Sequence, residues 1–201
     1  MEVCASIGLI AMTSKTTVNG SSQRYPLAAV ILHWGVAAGV LVLLATGAYM
    51  VDLPKNTDQR AFFFNLHKSL GILTAALIVG LIAWRSRGQV PGLPATMPRW
   101  EKQAAALNHV LFYLFLIAVT VVGYLTSSFS KYGPKLFGIP LPYWGWDDAA
   151  LRGHFADWHR RGAWLFATLI ALHMLAALKH LAFDRDGVFQ RMLPGGRPVT
   201  K

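Results

Sequence analysis

The chain has 201 residues, of which 54% are apolar and only 14% charged, where a soluble domain carries about a quarter charged. Lysine and arginine outnumber aspartate and glutamate by 19 to 9, yet the basic residues fall in gaps between long apolar stretches and form no basic helix or ribbon. That placement argues against nucleic acid as a partner and suits loops that meet anionic lipid headgroups.

Residues 1–24 are small and polar, ending in a Thr/Ser/Asn-rich run, and read as a flexible cytoplasmic tail; Met12 offers a second translation start. Glu2 and the short apolar stretch argue against a secretion signal. The tail holds the one cysteine, Cys4. A disulfide framework, a Cys-rich zinc site and an iron–sulfur cluster are therefore excluded, and so is the Cys-x-x-Cys-His attachment of covalent haem.

Four apolar segments follow, at about 27–50, 62–84, 106–127 and 157–183, each near the roughly 20 residues needed to cross a bilayer core. Helix is the economical reading, because spanning backbone must satisfy its own hydrogen bonds. The expected fold is an all-α membrane protein, a four-transmembrane-helix bundle over residues 25–193, with a short tail at 194–201. Asp52 to Asn56 breaks the chain after the first span, and Pro91, Pro94 and Pro98 punctuate the second connection. The third connection, from Ser128 to about Ala156, carries Pro134, Pro140, Pro142, Tyr143, Trp144 and Trp146, rings suited to the membrane–water interface. With the N-terminus inside, 11 basic residues fall on the inner side and 8 on the outer. That bias predicts cytoplasmic termini.

Histidine carries the chemistry. His33, His67, His159, His173 and His180 lie within apolar spans, His109 opens the third span and His154 falls in the outer connection. Ionisable residues inside a bilayer are rare and usually functional. On alternating helices, His67 and His159 lie near the outer face and His33 near the inner. His173 follows His159 by 14 residues, a rise of about 21 Å and nearly four whole turns, so it reaches the inner half on the same helix face. Two pairs result, His67 with His159 and His33 with His173. Each joins two helices at one depth, as bis-imidazole ligation of a haem iron requires. Zinc or copper would be under-ligated by two imidazoles with no carboxylate or thiolate at that depth. Small residues along the spans (Gly35, Gly39, Gly71, Ala75, Ala76, Gly162, Ala163 and Ala167) would admit either a flat group or a neighbouring helix.

The motifs are ordered. Arg24-Tyr25-Pro26 precedes Leu32-His33-Trp34; Leu66-His67-Lys68-Ser69-Leu70-Gly71 opens the second span, which ends Ala83-Trp84-Arg85; Asn108-His109 and Tyr113, then Trp158-His159 and Leu172-His173, follow. In this order and spacing the chain resembles the bacterial cytochrome b561 family, related to the cytochrome b subunits of hydrogenases, from about Arg24 to Leu193. The resemblance implies two haem b groups on the four paired histidines, one-electron transfer across the bacterial inner membrane, and a quinone such as ubiquinone as co-substrate. Where the family often carries a further arginine about four residues before the position of Arg85, this chain has Leu81. It therefore lacks the propionate or quinone contact that side chain would make.

The remaining ionisable residues divide by face. His180, seven residues after His173, and Lys179 could contact a quinone or a propionate at the inner side, and His109 could share either role. Arg24 and Arg85 suit inner propionates, and Lys68 and Arg160, each directly after a ligand candidate, suit outer ones. The outer cations could also steer an anionic one-electron donor such as superoxide. Three functions are open at this point. One is an electron-transfer oxidoreductase acting between superoxide or another outer redox partner and quinone. The others are a relay subunit of a hydrogenase- or dehydrogenase-type complex, and a histidine-based transporter or metal channel.

Overall fold

The computed structural model describes residues 24–87 and 91–194; of the expected tails at 1–24 and 194–201, all but Arg24 and Pro194 lie outside them. Four long helices carry the fold: α1 (Leu27–Asp52), α2 (Asp58–Arg85), α3 (Arg99–Ser128) and α4 (Ala149–Lys179). All four are long and apolar enough to cross a membrane. α1 begins with its apolar segment at Leu27, whereas α2, α3 and α4 begin several residues before theirs, because those helices start at a capping or proline signal and not where hydrophobicity begins. Pro26 and Pro98 immediately precede α1 and α3, where a missing N–H costs nothing. At α2, the Thr57 hydroxyl accepts from the Arg60 N–H at 3.3 Å.

The largest departure from expectation is at α4, which begins at Ala149 and not near residue 157. Asp148 sets that start: one carboxylate oxygen accepts from the Ala150 and Leu151 N–H groups at 2.9 and 3.0 Å. His154 is consequently a helical residue and not a loop residue. Asp148→Ala should lower stability by about 1 kcal/mol, the usual cost of a lost N-cap, measured as the shift in thermal unfolding of the protein in detergent. At its far end α4 runs into a π-turn, His180–Asp184, and Arg185 in left-handed conformation (φ 50°) stops it.

The helices associate as two close pairs, α1 with α2 and α3 with α4, and the pairs meet more loosely through α2 and α3. Glycine permits the close approaches. A Cβ on Gly39 would lie 2.6 Å from the Thr74 hydroxyl, and one on Gly162 would lie 2.9 Å from Val119. For these two of the small residues singled out above, the helix-packing reading is the one observed. Neither α1 nor α2 makes more than marginal backbone contact with α4. Leu27, Val42, Val79, Leu114, Leu172 and Leu175 are exposed on the outside of the bundle, an apolar surface too large for water and suited to lipid. The protein is a four-helix membrane bundle.

The two ends of the bundle differ. The terminal face holds the start of α1 and the end of α4; the loop face holds the α1–α2 turn and the α3–α4 connection. That connection contains a small hairpin, β1 (Lys135–Leu136) paired antiparallel with β2 (Ile139–Pro140). Its two turn residues, Phe137 and Gly138, both have positive φ, which matches the twist of a tight hairpin. The hairpin is fastened onto α2: the Phe137 N–H donates to the Ser69 hydroxyl at 2.8 Å and the Lys68 ammonium to the Gly133 carbonyl at 3.1 Å. Gly133 is at φ 62° with the Tyr143 ring where a Cβ would stand, so only glycine fits.

Candidate functional site

Two histidine pairs lie between the helices that do not pack on each other. Near the loop face, His67 on α2 and His159 on α4 have ring centroids 6.0 Å apart with planes at 86°. Toward the terminal face, His33 on α1 and His173 on α4 have centroids 6.4 Å apart with planes at 56°. Two imidazoles bound on opposite sides of one iron, at about 2 Å to the metal and about 1 Å from each nitrogen to its ring centre, stand roughly 6 Å apart. Both pairs fit that span.

Hydrogen bonds bear on which nitrogen His159, His67 and His173 present. The His159 Nδ1–H donates to the Val119 carbonyl at 2.9 Å; a carbonyl can only accept, so Nε2 keeps its lone pair for a metal. The His67 Nδ1 lies 3.1 Å from the Thr46 hydroxyl, which itself donates to the Val42 carbonyl at 2.7 Å. Each ring rests against a glycine of the neighbouring helix. A Cβ on Gly123 would come 2.9 Å from both Cε1 and Nδ1 of His159, and one on Gly47 would come 3.2 Å from Cε1 of His67. In the other pair, the Asn108 amide lies 3.4 Å from the His173 Nδ1. Turned so that its oxygen faces the ring, this amide accepts the Nδ1–H and again leaves Nε2 open.

His109 is the third ring at the terminal-face pair, 5.8 Å from His173 by centroid. It sits on α3, which packs tightly on α4, so a macrocycle would have to part that pair to lie between these two rings. His33 stands across the gap from α4 and faces no such barrier. His109 donates its Nδ1–H to the Ala105 carbonyl at 2.7 Å and holds Nε2 as an acceptor.

The other predicted contacts are placed as follows. Lys179 bridges Glu101 and Asp184, 2.7 Å from each, and the His180 Nδ1 lies 3.0 Å from Asp184 and 2.8 Å from Asp186. Glu101, His180 and Asp184 could by spacing hold a metal ion, but the Lys179 ammonium already supplies the cation that two of them need. Arg85 is half-buried near Tyr25, whose phenol is pushed above its ordinary value by burial, against the opposing pull of Arg85 and Arg191. Arg24 is exposed. At the loop face, Lys68 is committed to the Gly133 carbonyl, and Arg160 is exposed and paired with Asp157 at 2.8 Å. Thr46, Gly47, Val119 and Gly123 are absent from the residues singled out by sequence. Depth would have flagged Gly47, which lies near the outer end of the first span, level with His67.

A bundle that spans the membrane and aligns imidazole pairs at two depths between helices defines a class, the membrane b-type cytochromes. The chain belongs to the prokaryotic cytochrome b561 family, whose model matches residues 24–195. It is similar to cytochrome b561 homolog 2 of Escherichia coli K12, 33% identical over 85% of this chain and 92% of that protein. It is also similar to a probable superoxide oxidase of Yersinia pestis, 24% identical over 87% and 98%. A third relative is a probable Ni/Fe-hydrogenase 1 B-type cytochrome subunit of E. coli K12, 21% identical over 83% and 86%. Membership makes this a bacterial membrane protein of electron transfer that uses b-type haem.

Proposed function

We propose that the chain binds two haem b groups, one on His67 and His159 and one on His33 and His173, and carries electrons singly between a loop-face partner and membrane quinone. The observation that supports it most is the pair of centroid separations, 6.0 and 6.4 Å, both at the span of two axial imidazoles. Each haem supplies a centre that accepts and returns one electron; the protein supplies axial nitrogens, burial and hydrogen bonds. In the orientation favoured by the basic residues, the terminal face is cytoplasmic, in the inner membrane, and the loop face is outside.

Superoxide is the loop-face donor that the exposed cations suit best, with Arg160 and Arg161 on α4 beside His159. Two superoxide anions each lose one electron and become dioxygen; quinone gains those two electrons and two protons and becomes quinol. The protons come from the terminal side. There the chain Glu101, Lys179, Asp184, His180 and Asp186 is continuous in hydrogen bonds and ion pairs. The Nε2 of His109 can accept a proton there too. Arg85 and Arg24 suit the propionates of the terminal-face haem. Lys68, already bonded to the loop, suits a propionate of the other only in exchange for that bond.

Pyridine haemochrome analysis of purified protein should give close to two haems per chain. Mixing the oxidised protein with superoxide in a stopped-flow instrument should reduce the haems with no second protein present, followed by reoxidation on adding ubiquinone. Haem reduction only in the presence of a partner complex would assign it instead as a relay subunit, as in the hydrogenase relative. Purified protein without a haem absorption band would return the transporter or metal-channel reading.

A further inference from the structure

The geometry points to Thr46 as the positioning residue that fixes the tautomer, rotation and donor strength of His67, and through them the reduction potential of the loop-face haem. The inference rests on the reading of His67 and His159 as axial ligands. Thr46 lies on α1 and His67 on α2, one of the two tightly packed pairs.

A hydroxyl has one proton to donate and lone pairs to accept with. The Thr46 proton is spent on its own helix: the Val42 carbonyl is 2.7 Å away and the Leu43 carbonyl 3.3 Å away. Toward His67 Nδ1, 3.1 Å away, the oxygen can therefore only accept. Nδ1 must carry its hydrogen, and Nε2 must present its lone pair. A water-exposed threonine would leave both tautomers open; here the α-helical carbonyls one turn back decide the matter.

The contact also sets rotation. Gly47, the next residue, lets the His67 ring lie within ordinary contact of α1, with Cε1 3.2 Å from where a Cβ would be. Thr46 and Gly47 thus form one seat, a hydroxyl at the Nδ1 edge and bare backbone under the ring. That seat holds the ring at 86° to His159. His159 has a backbone carbonyl for the same purpose, which no side-chain substitution removes. Thr46 is therefore the side chain through which the donor strength of a loop-face ligand can be changed, the Leu43 backbone carbonyl being the other acceptor that faces the His67 ring. An acceptor on Nδ1–H makes the imidazole a stronger donor, which favours ferric over ferrous iron and lowers the potential.

Thr46→Val keeps the shape and removes the oxygen. It should retain two haems per chain and change the ferric-over-ferrous preference of the loop-face haem about tenfold, a rise of about 59 mV for one electron, leaving the other haem unmoved. The measurement is an equilibrium redox titration followed in the haem α-band. Thr46→Ser, which restores the hydroxyl, should return the wild-type potential. Low-temperature electron paramagnetic resonance gives a second readout: perpendicular axial rings produce a highly anisotropic low-spin ferric signal, and freeing the His67 ring should reduce that anisotropy in Thr46→Val but not in Thr46→Ser. If Thr46→Val does not assemble, Thr46→Ala carries the same comparison. Unchanged potentials in Thr46→Val, or in Thr46→Ala if it is used instead, overturn the proposal, provided His67→Ala has lost one haem. Retention of both haems in His67→Ala overturns the ligand reading itself.

Discussion

Replacing His67 or His159 by alanine should bring the haem content from two per chain to one, with the terminal-face haem spectroscopically intact. His33→Ala and His173→Ala should each do the reverse. An axial imidazole contributes a bond to the iron that an alanine side chain cannot make. The two pairs are separated along α4 by the 14-residue step from His159 to His173, about 21 Å, so loss at one depth leaves the other ring pair untouched. The single-haem variants should reduce quinone with superoxide at a small fraction of the wild-type rate, since one redox centre no longer reaches across the bilayer. Haemochrome content, α-band position and steady-state quinone reduction measured on the same preparations test all of this. His109→Ala separates the remaining ambiguity: it should keep two haems, because α3 and α4 pack too closely to admit a macrocycle.

Gly123 should prove nearly as sensitive as a ligand, although it touches no metal. A Cβ there would lie 2.9 Å from both Cε1 and Nδ1 of His159, and the ring is held in place by its hydrogen bond to Val119. Gly123→Ala must therefore push the imidazole off its carbonyl or part α3 from α4. Overpacking of this kind costs about 1–3 kcal/mol, on the order of 5- to 150-fold in the affinity of the loop-face haem. Gly123→Val should lose that haem altogether. Gly47→Ala, at 3.2 Å from the His67 ring, should be milder. Gly153→Ala, which meets nothing within 4 Å, should leave haem content unchanged. Haem titration of the apoprotein in detergent gives the four affinities, and a flat series would contradict the seating of the rings on glycine.

The histidine pairing was legible because helical rise converts spacing into depth. His159 and His173 share a helix, and their 14-residue separation alone places them at opposite ends of the bundle. The role of Lys68 was not legible in the same way. Next to a ligand candidate it reads as a propionate contact, whereas its ammonium is held by Gly133, 65 residues on, in a loop whose path depends on the Phe137–Gly138 turn and the Ser69 anchor. Spacing likewise puts Lys179 and His180 at the end of the fourth span, but their carboxylate partners, Glu101, Asp184 and Asp186, depend on the register of α3 against α4 and on the π-turn.

Hydropathy, residue spacing and the order of the histidine motifs determine the number of helices, their direction and the depth of each imidazole, because a bilayer forces every spanning segment to be a helix of fixed rise. Tertiary structure alone decides the rotation of one helix against the next. That rotation puts Gly123 under His159, Thr46 on the Nδ1 of His67 and Asn108 beside His173. Depth is a property of one chain segment and is written in its own spacing; a hydrogen bond between helices depends on two azimuths that only packing sets.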